Sequence, residues 1–180
     1  LSLRGWLNYE PVSFQDVSPA AAEESFQQSL ATSQRIHSLF GLLDAKLGIA
    51  WTHLSAGRYD DARQYILELQ ATIRQGEHRI LTAGTQTGQA ALCQATGDLD
   101  KAHALYEEAV TFCKTENVSV WGARAVVGLL SVELGRCDEK RANELVEQAL
   151  QFAASVSSFR VRLTEINLER TRSFSWPIPR

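Results

Sequence analysis

Gly97-Asp98-Leu99-Asp100-Lys101-Ala102-His103-Ala104-Leu105-Tyr106-Glu107-Glu108-Ala109-Val110 is the stretch on which the fold turns. Glycine just past a helix end takes the left-handed conformation that bulkier residues resist. Aspartates suit the first turn of the helix that follows, where the macrodipole favours negative charge. The stretch therefore encodes a helix stop, a tight turn and a new helix. The same phrase stands forty residues earlier as Gly57-Arg58-Tyr59-Asp60-Asp61-Ala62, and later, stretched by two, from Gly135 to Ala142. Ala22, Ala62, Ala102 and Ala142 thus form a ladder of constant step. Phe26, Ile66, Tyr106 and Val146 follow at plus four, and Leu30, Gln70, Val110 and Leu150 at plus eight. A fixed period of this size marks a stacked repeat array. Such arrays bury their core between neighbouring units and present a long surface, so binding is expected before catalysis.

Outward from the ladder, apolar spacing places the helices. Ser18-Pro19 predicts a helix start, because serine caps and proline suits the first helical position. Ala22, Phe26, Leu30 and Ser33 share one face of a helix to about Arg35. Ile36 to Gly41 is read as the corner, followed by a helix carrying Leu43, Leu47, Ala50, Trp51 and Leu54 and ending at Gly57. Each unit is read as helix, short turn, helix, with glycine at the tight turn and a looser link between units. Within the stretch above, Ala104, Leu105, Ala109, Val110 and Phe112 are expected inward, with Glu107 and Glu108 outward. No convincing strand pattern occurs. Residues 1–17, broken by Pro11, are expected to be an irregular segment or partial helix. Residues 18–171 are the repeat domain, with a last helix suggested by Phe159, Val161, Leu163, Ile166 and Leu168, and 172–180 an extended tail.

The bulk numbers are those of a globular chain: 180 residues, 44% hydrophobic, 22% charged, net charge -3. The mild acidity offers nothing to nucleic acid, so no direct nucleic-acid contact is expected. No apolar stretch is long enough to span a bilayer, and no signal peptide leads the sequence. The three cysteines, Cys93, Cys113 and Cys137, form no CxxC pair and read as reduced thiols of a cytoplasmic protein, the first two as small core residues. The chain has no methionine and is taken as a piece of a longer protein.

The repeated phrase resembles the tetratricopeptide repeat: glycine, an aromatic or leucine two positions on, an alanine, a large residue at plus four and a small one at plus seven. Gly57, Tyr59, Ala62 and Ile66 carry it in one unit, Gly97, Leu99, Ala102, Tyr106 and Ala109 in the next, and Gly135, Ala142, Val146 and Ala149 in the third. The likeness covers roughly residues 18 to 170. It departs in period, forty against the family's roughly 34 residues, and in a poorly kept first-helix tryptophan. Gly128 matches the family's small residue at the helix crossing, with Ala50 and Ala90 assigned the same role. The forty-residue units are also similar to the helical repeat domains of bacterial maltose-regulator-like (LuxR-type/STAND) transcriptional regulators. The resemblance implies an all-α, right-handed superhelical solenoid of about four antiparallel helix pairs. It also implies a sensor and protein-contact module set between an ATPase and a DNA-binding domain.

A search for chemistry returns little. There is no phosphate loop, and Gly84-Thr85-Gln86-Thr87-Gly88 falls inside an expected helix, where its use is close helix packing. His37, His53, His78 and His103 show no metal-ligand spacing, and His37 and His78 are expected to be exposed in links between units. Asp60-Asp61 and Glu107-Glu108 are better explained as helix-start and solvent-face charges than as an acid-base pair. No enzyme activity, cofactor or metal is therefore expected. In the resembled arrays the first helix of each pair lines the binding groove. By register its candidates are Asp44, Leu47, Trp51, Leu54, Thr87, Gln94, Leu129 and Glu133; Trp51 reads equally as an anchor for a peptide or ligand ring and as a side chain filling a gap between repeats. The expected partner is a protein or peptide, including other modules of the same chain. The rival functions are a small-molecule effector sensor and a structural scaffold that pairs two copies through an uncovered end helix.

Overall fold

The computed structural model describes residues 19–73 and 78–135, together with Arg141, Glu144, Leu145, Glu147, Gln148 and Gln151. Among the described residues the chain is all-helical: α1 (Pro19–Arg35), α2 (Leu39–Ser55), α3 (Tyr59–Ile73), α4 (Arg79–Ala95), α5 (Leu99–Thr115) and α6 (Ser119–Gly135). Residues 1–17, the tail 172–180, the expected helix beyond Phe159, Cys137 and the ladder positions Ala142, Val146 and Leu150 lie outside the described residues.

The helices start at residues 19, 39, 59, 79, 99 and 119, so the forty-residue ladder rests on a twenty-residue beat. One turn motif keeps that beat. Gly57 and Gly97 sit at φ 73° and 87°, as the sequence requires, and His37 and Asn117 adopt the same left-handed conformation at φ 54° and 56°. In the link from α2 to α3, Gly57 N donates to Leu54 O and Arg58 N to His53 O. His37, Ser38, Gly97 and Asp98 repeat that pair of bonds. This is the Schellman closure, which satisfies carbonyls orphaned at a helix end. The described links between units at His37 and Asn117 are thus as short as the glycine turns, where looser ones were expected. Histidine and asparagine tolerate the left-handed region better than most side chains. The expected corner also ends earlier than Gly41. Ser38 caps α2, its hydroxyl accepting from Gly41 N at 3.2 Å, so Gly41 lies inside the helix.

Four of the five links, 36–38, 56–58, 96–98 and 116–118, have three residues, and each helix packs on the next. In addition α2 packs on α4 and α4 on α6. The even helices therefore form one parallel row, and α1, α3 and α5 lie over it. The even row is buried on most sides and correspondingly apolar, as a helix covered all round must be.

The two rows meet through a second ladder. A Cβ added to Gly48 would lie under 3.0 Å from ring atoms of Phe26, and one added to Gly128 equally close to the ring of Tyr106. Gly88 faces Ile66 more loosely, at 3.7 Å. The plus-four residues Phe26, Ile66 and Tyr106 thus seat on Gly48, Gly88 and Gly128. The crossing residues are these glycines, displaced by two positions from the assigned Ala50 and Ala90, which are buried beside them. Ala22, Ala62 and Ala102 are fully buried, as their ladder implies. Glu107 and Glu108 are exposed as expected, whereas Ala104 is exposed rather than inward.

Candidate functional site

Along the even row, α4 is thinned by Gly84 and Gly88, and the gap lets large side chains from α2 and α6 meet across it. Trp51 and Trp121 stack with ring centroids 5.6 Å apart and planes 27° from parallel. The guanidinium carbon of Arg124 lies 4.7 Å from the Trp51 ring centroid and 5.5 Å from that of Trp121. A Cβ on Gly84 would collide with Trp121 and Leu47, so the glycine is needed for this stack. Close packing was the expected use of Gly84 and Gly88, and the geometry bears it out. Trp121 and Arg124 were not singled out from sequence, because only the fold brings position 121 over position 51.

The same packing sets how far each groove candidate is exposed. Leu47, Trp51, Thr87, Leu129 and Glu133 are all buried. Leu47 and Trp51 belong to one apolar cluster and Leu129 to another. Thr87 satisfies its hydroxyl on Ala83 O at 2.8 Å, which is why a threonine is tolerated there. Glu133 Oε1 meets His103 Nε2 at 2.6 Å, tying α6 to α5. A partner touching this state reaches none of the five directly. Asp44, Leu54 and Gln94 are half-buried. Gln94 is already engaged: it accepts from the Tyr106 hydroxyl at 2.9 Å and donates to Ser131 Oγ at 3.0 Å. Register alone placed these residues on the row correctly, but not whether they face solvent or the adjacent helix.

What the row does expose is apolar and periodic. Phe40, Ile80 and Val120 are the second residues of α2, α4 and α6, and are 49%, 55% and 42% exposed. The three helices are parallel neighbours, so the three side chains fall in one line at the same end of the row. Ile36 and Leu39 nearby in sequence are exposed as well, and His78 packs edge-on against Phe40 at 6.1 Å. His37 is exposed as expected, while this contact half-buries His78. Single exposed apolar residues are ordinary, but a contiguous set is the mark of an interaction surface. The forty-residue spacing of Phe40, Ile80 and Val120 was legible in the sequence as a further ladder.

On the other side, α3 and α5 splay apart over α4 and leave a cleft of about 330 Å³. Arg63 and Lys101 stand on its walls, with Ile66, Leu92 and Cys93 among its lining residues. Gln70 donates to Gln89 Oε1 at 2.6 Å within it. Burial raises the Cys93 thiol above its ordinary pKa and pushes that of Cys113 up to about 12. Neither is an activated nucleophile. Cys113 is a core residue as expected, whereas Cys93 is half-buried at the cleft. Among the described residues no three of His, Cys, Asp and Glu gather as metal ligands would, and no helix is long and apolar enough to cross a membrane.

No protein-family model matches this chain, and no curated protein matches it.

Proposed function

We propose that the chain is a tetratricopeptide-like solenoid that binds an apolar segment of a protein partner and performs no catalysis. The observation that carries this reading is the line of Phe40, Ile80 and Val120, an exposed apolar position repeated once per forty residues on adjacent parallel helices. A repeat array that spaces identical contacts suits an extended peptide. The regular turns and the glycine crossings support the same reading, since they hold the line rigid before a partner arrives. In a regulator of the kind the sequence resembles, partner binding would favour one arrangement of the array and so bias the neighbouring modules.

The test is selection of phage-displayed peptides on the wild-type chain, followed by affinity measurement against Phe40→Ser/Ile80→Ser. Loss of two apolar anchors is expected to weaken selected peptides at least about tenfold, equivalent to about 1.4 kcal/mol. Enrichment of peptides that bind the double variant unchanged overturns the reading.

A second reading, an effector-sensing module, draws support from the cleft between α3 and α5. Its volume is at the lower end for small-molecule sites, about 300–1,000 Å³. Arg63 and Lys101 on its walls, against the single carboxylate of Asp98 among the described residues, leave it an excess of positive charge suited to an anionic metabolite. A thermal-shift screen of anionic metabolites, repeated on Arg63→Glu/Lys101→Glu, separates it from the first: only this reading expects a rise that the double variant abolishes.

A further inference from the structure

Position by position, the cleft between α3 and α5 has a counterpart forty residues on, and there the chain supplies its own carboxylates. Arg63, Leu67, Cys93 and Lys101 of the cleft correspond to His103, Glu107, Glu133 and Arg141. Those four form one network. His103 Nε2 meets Glu133 Oε1 at 2.6 Å, His103 Nδ1 lies 3.9 Å from Glu107 Oε2, and Arg141 Nη2 lies 3.4 Å from Glu107 Oε1. Forty residues back the signs are exchanged and the charges are again matched. Glu23 meets Arg58, and Asp61 lies 3.9 Å from His53. The middle unit keeps both cations, Arg63 and Lys101, but has leucine and cysteine where the next unit has glutamates. Asp98 is the carboxylate among the described residues lining the cleft, and it caps α5, accepting from Lys101 N at 3.3 Å. Arg63 also meets Asp60 at 3.3 Å, an exposed pair on one helix of the kind that holds a charge only weakly.

The middle unit departs from its neighbours in a second way. Gln70 stands where they have Leu30 and Val110, and Gln89 where they have Ile49 and Leu129. This amide pair, hydrogen-bonded at 2.6 Å, brings N–H donors to a place that is apolar in the units on either side. Burial raises the pKa of the Cys93 thiol; of the nearby charges, Lys101 and Arg63 oppose the rise and Asp98 adds to it. Both cations therefore act at the position where the next unit has the carboxylate of Glu133. We propose that the cleft binds a small aliphatic carboxylate, a proposal that rests on the effector-sensing reading and gives that sensor its ligand class. The carboxylate group lies between Arg63 and Lys101, in the place of the Glu107 and Glu133 side chains one unit on. The aliphatic chain packs on Ile66 and Leu92 of the lining. Bound there, the ligand ties α3 to α5, as the Arg141–Glu107 pair ties the chain after α6 to α5.

Thermal melts of the full chain at fixed ionic strength compare sodium pentanoate with phosphate and with neutral pentanamide. The expected result is a saturable rise in Tm with pentanoate, at a dissociation constant on the order of 1 mM. Phosphate and pentanamide are expected to bind at least about fivefold more weakly. Cys93→Glu restores the missing carboxylate within the chain. It is expected to weaken pentanoate at least about tenfold relative to Cys93→Gln, which has the same shape without the charge. Where Cys93→Glu does not fold, Leu67→Glu against Leu67→Gln repeats the comparison at a position 58% exposed. Phosphate binding as tightly as pentanoate overturns the carboxylate assignment and leaves an anion sensor standing. A Tm that rises with neither anion removes both readings. Equal binding of pentanamide, or equal weakening by the Glu and Gln variants, shows that no carboxylate takes the place of the absent side chains and overturns the inference.

Discussion

Replacing Gly48 by alanine isolates the contact that spaces the two helical rows. In an exposed helix interior this substitution stabilises by roughly 1 kcal/mol, because glycine has the greater conformational freedom to lose. Here the added Cβ would lie under 3.0 Å from its three nearest atoms, all in the ring of Phe26. An ordinary contact begins near 3.4 Å, so the ring or the helix must retreat by several tenths of an ångström at least. Phe26 is fully buried in a cluster with Ala22 and Ile49, so its ring has little room to yield. Overpacking of this kind costs about 1–3 kcal/mol, which exceeds the propensity gain. A net loss of up to about 2 kcal/mol is expected, a fall in Tm of up to a few degrees for a chain of this size. Gly88→Ala is the internal control. Its Cβ would find neighbours at 3.5, 3.6 and 3.7 Å, which is ordinary contact, so propensity wins and stability rises by about 0.5–1 kcal/mol. Urea titration followed by helical circular dichroism measures both. Adding Phe26→Leu to Gly48→Ala should recover part of the loss, and the cycle reports the coupling. If Gly48→Ala stabilised the chain as Gly88→Ala does, the crossing role of Gly48 would be refuted.

Two further outcomes follow from buried titratable groups. His53 is buried on α2 against Tyr65, and desolvation, then Arg58, holds its pKa below 6.5 against the opposing pull of Glu23 and Asp61. Between the folded value and 6.5 the unfolded chain binds more protons, so the stability His53 allows is present above pH 6.5 and drains as pH falls through the folded value. Thermal melts at pH 7.5 and 5.5 should therefore show a smaller fall in His53→Gln than in wild type, and equal falls would remove His53 from the acid response. Because burial pushes Cys113 up to about 12, it should resist iodoacetamide in the native chain while the half-buried Cys93 reacts first. Peptide mapping after a short exposure decides the order, and labelling of Cys113 ahead of Cys93 would contradict the burial of α5.

How much was readable varies by residue. The glycine turns at 57 and 97 were legible because backbone chemistry forces them locally. The turns at His37 and Asn117 were not, since nothing in those side chains demands the left-handed conformation. The alanine ladder announced the repeat, yet the glycine ladder beneath it was half missed. Gly48, Gly88 and Gly128 share the same forty-residue step, but only contact with Phe26, Ile66 and Tyr106 shows which small residue the crossing needs. Which groove candidates are covered was hidden for a related reason. A register assigns a residue to a helix and a face, and a face toward a groove and a face toward the adjacent parallel helix contain the same kinds of residue. Trp51 reads equally as an anchor and as a gap-filler until Trp121 and Arg124, from seventy residues on, show it filling the gap between repeats.

The sequence by itself determined that the described residues are helical, the helix starts at Pro19 and after the glycine turns at 57 and 97, and the forty-residue step, because these depend on local capping, turn chemistry and period. Only the tertiary structure decided which of the recurring positions are covered. Burial depends on which neighbour stands opposite, and the packing of α2, α4 and α6 into one row hides Leu47 and Thr87 while leaving Phe40, Ile80 and Val127 in view.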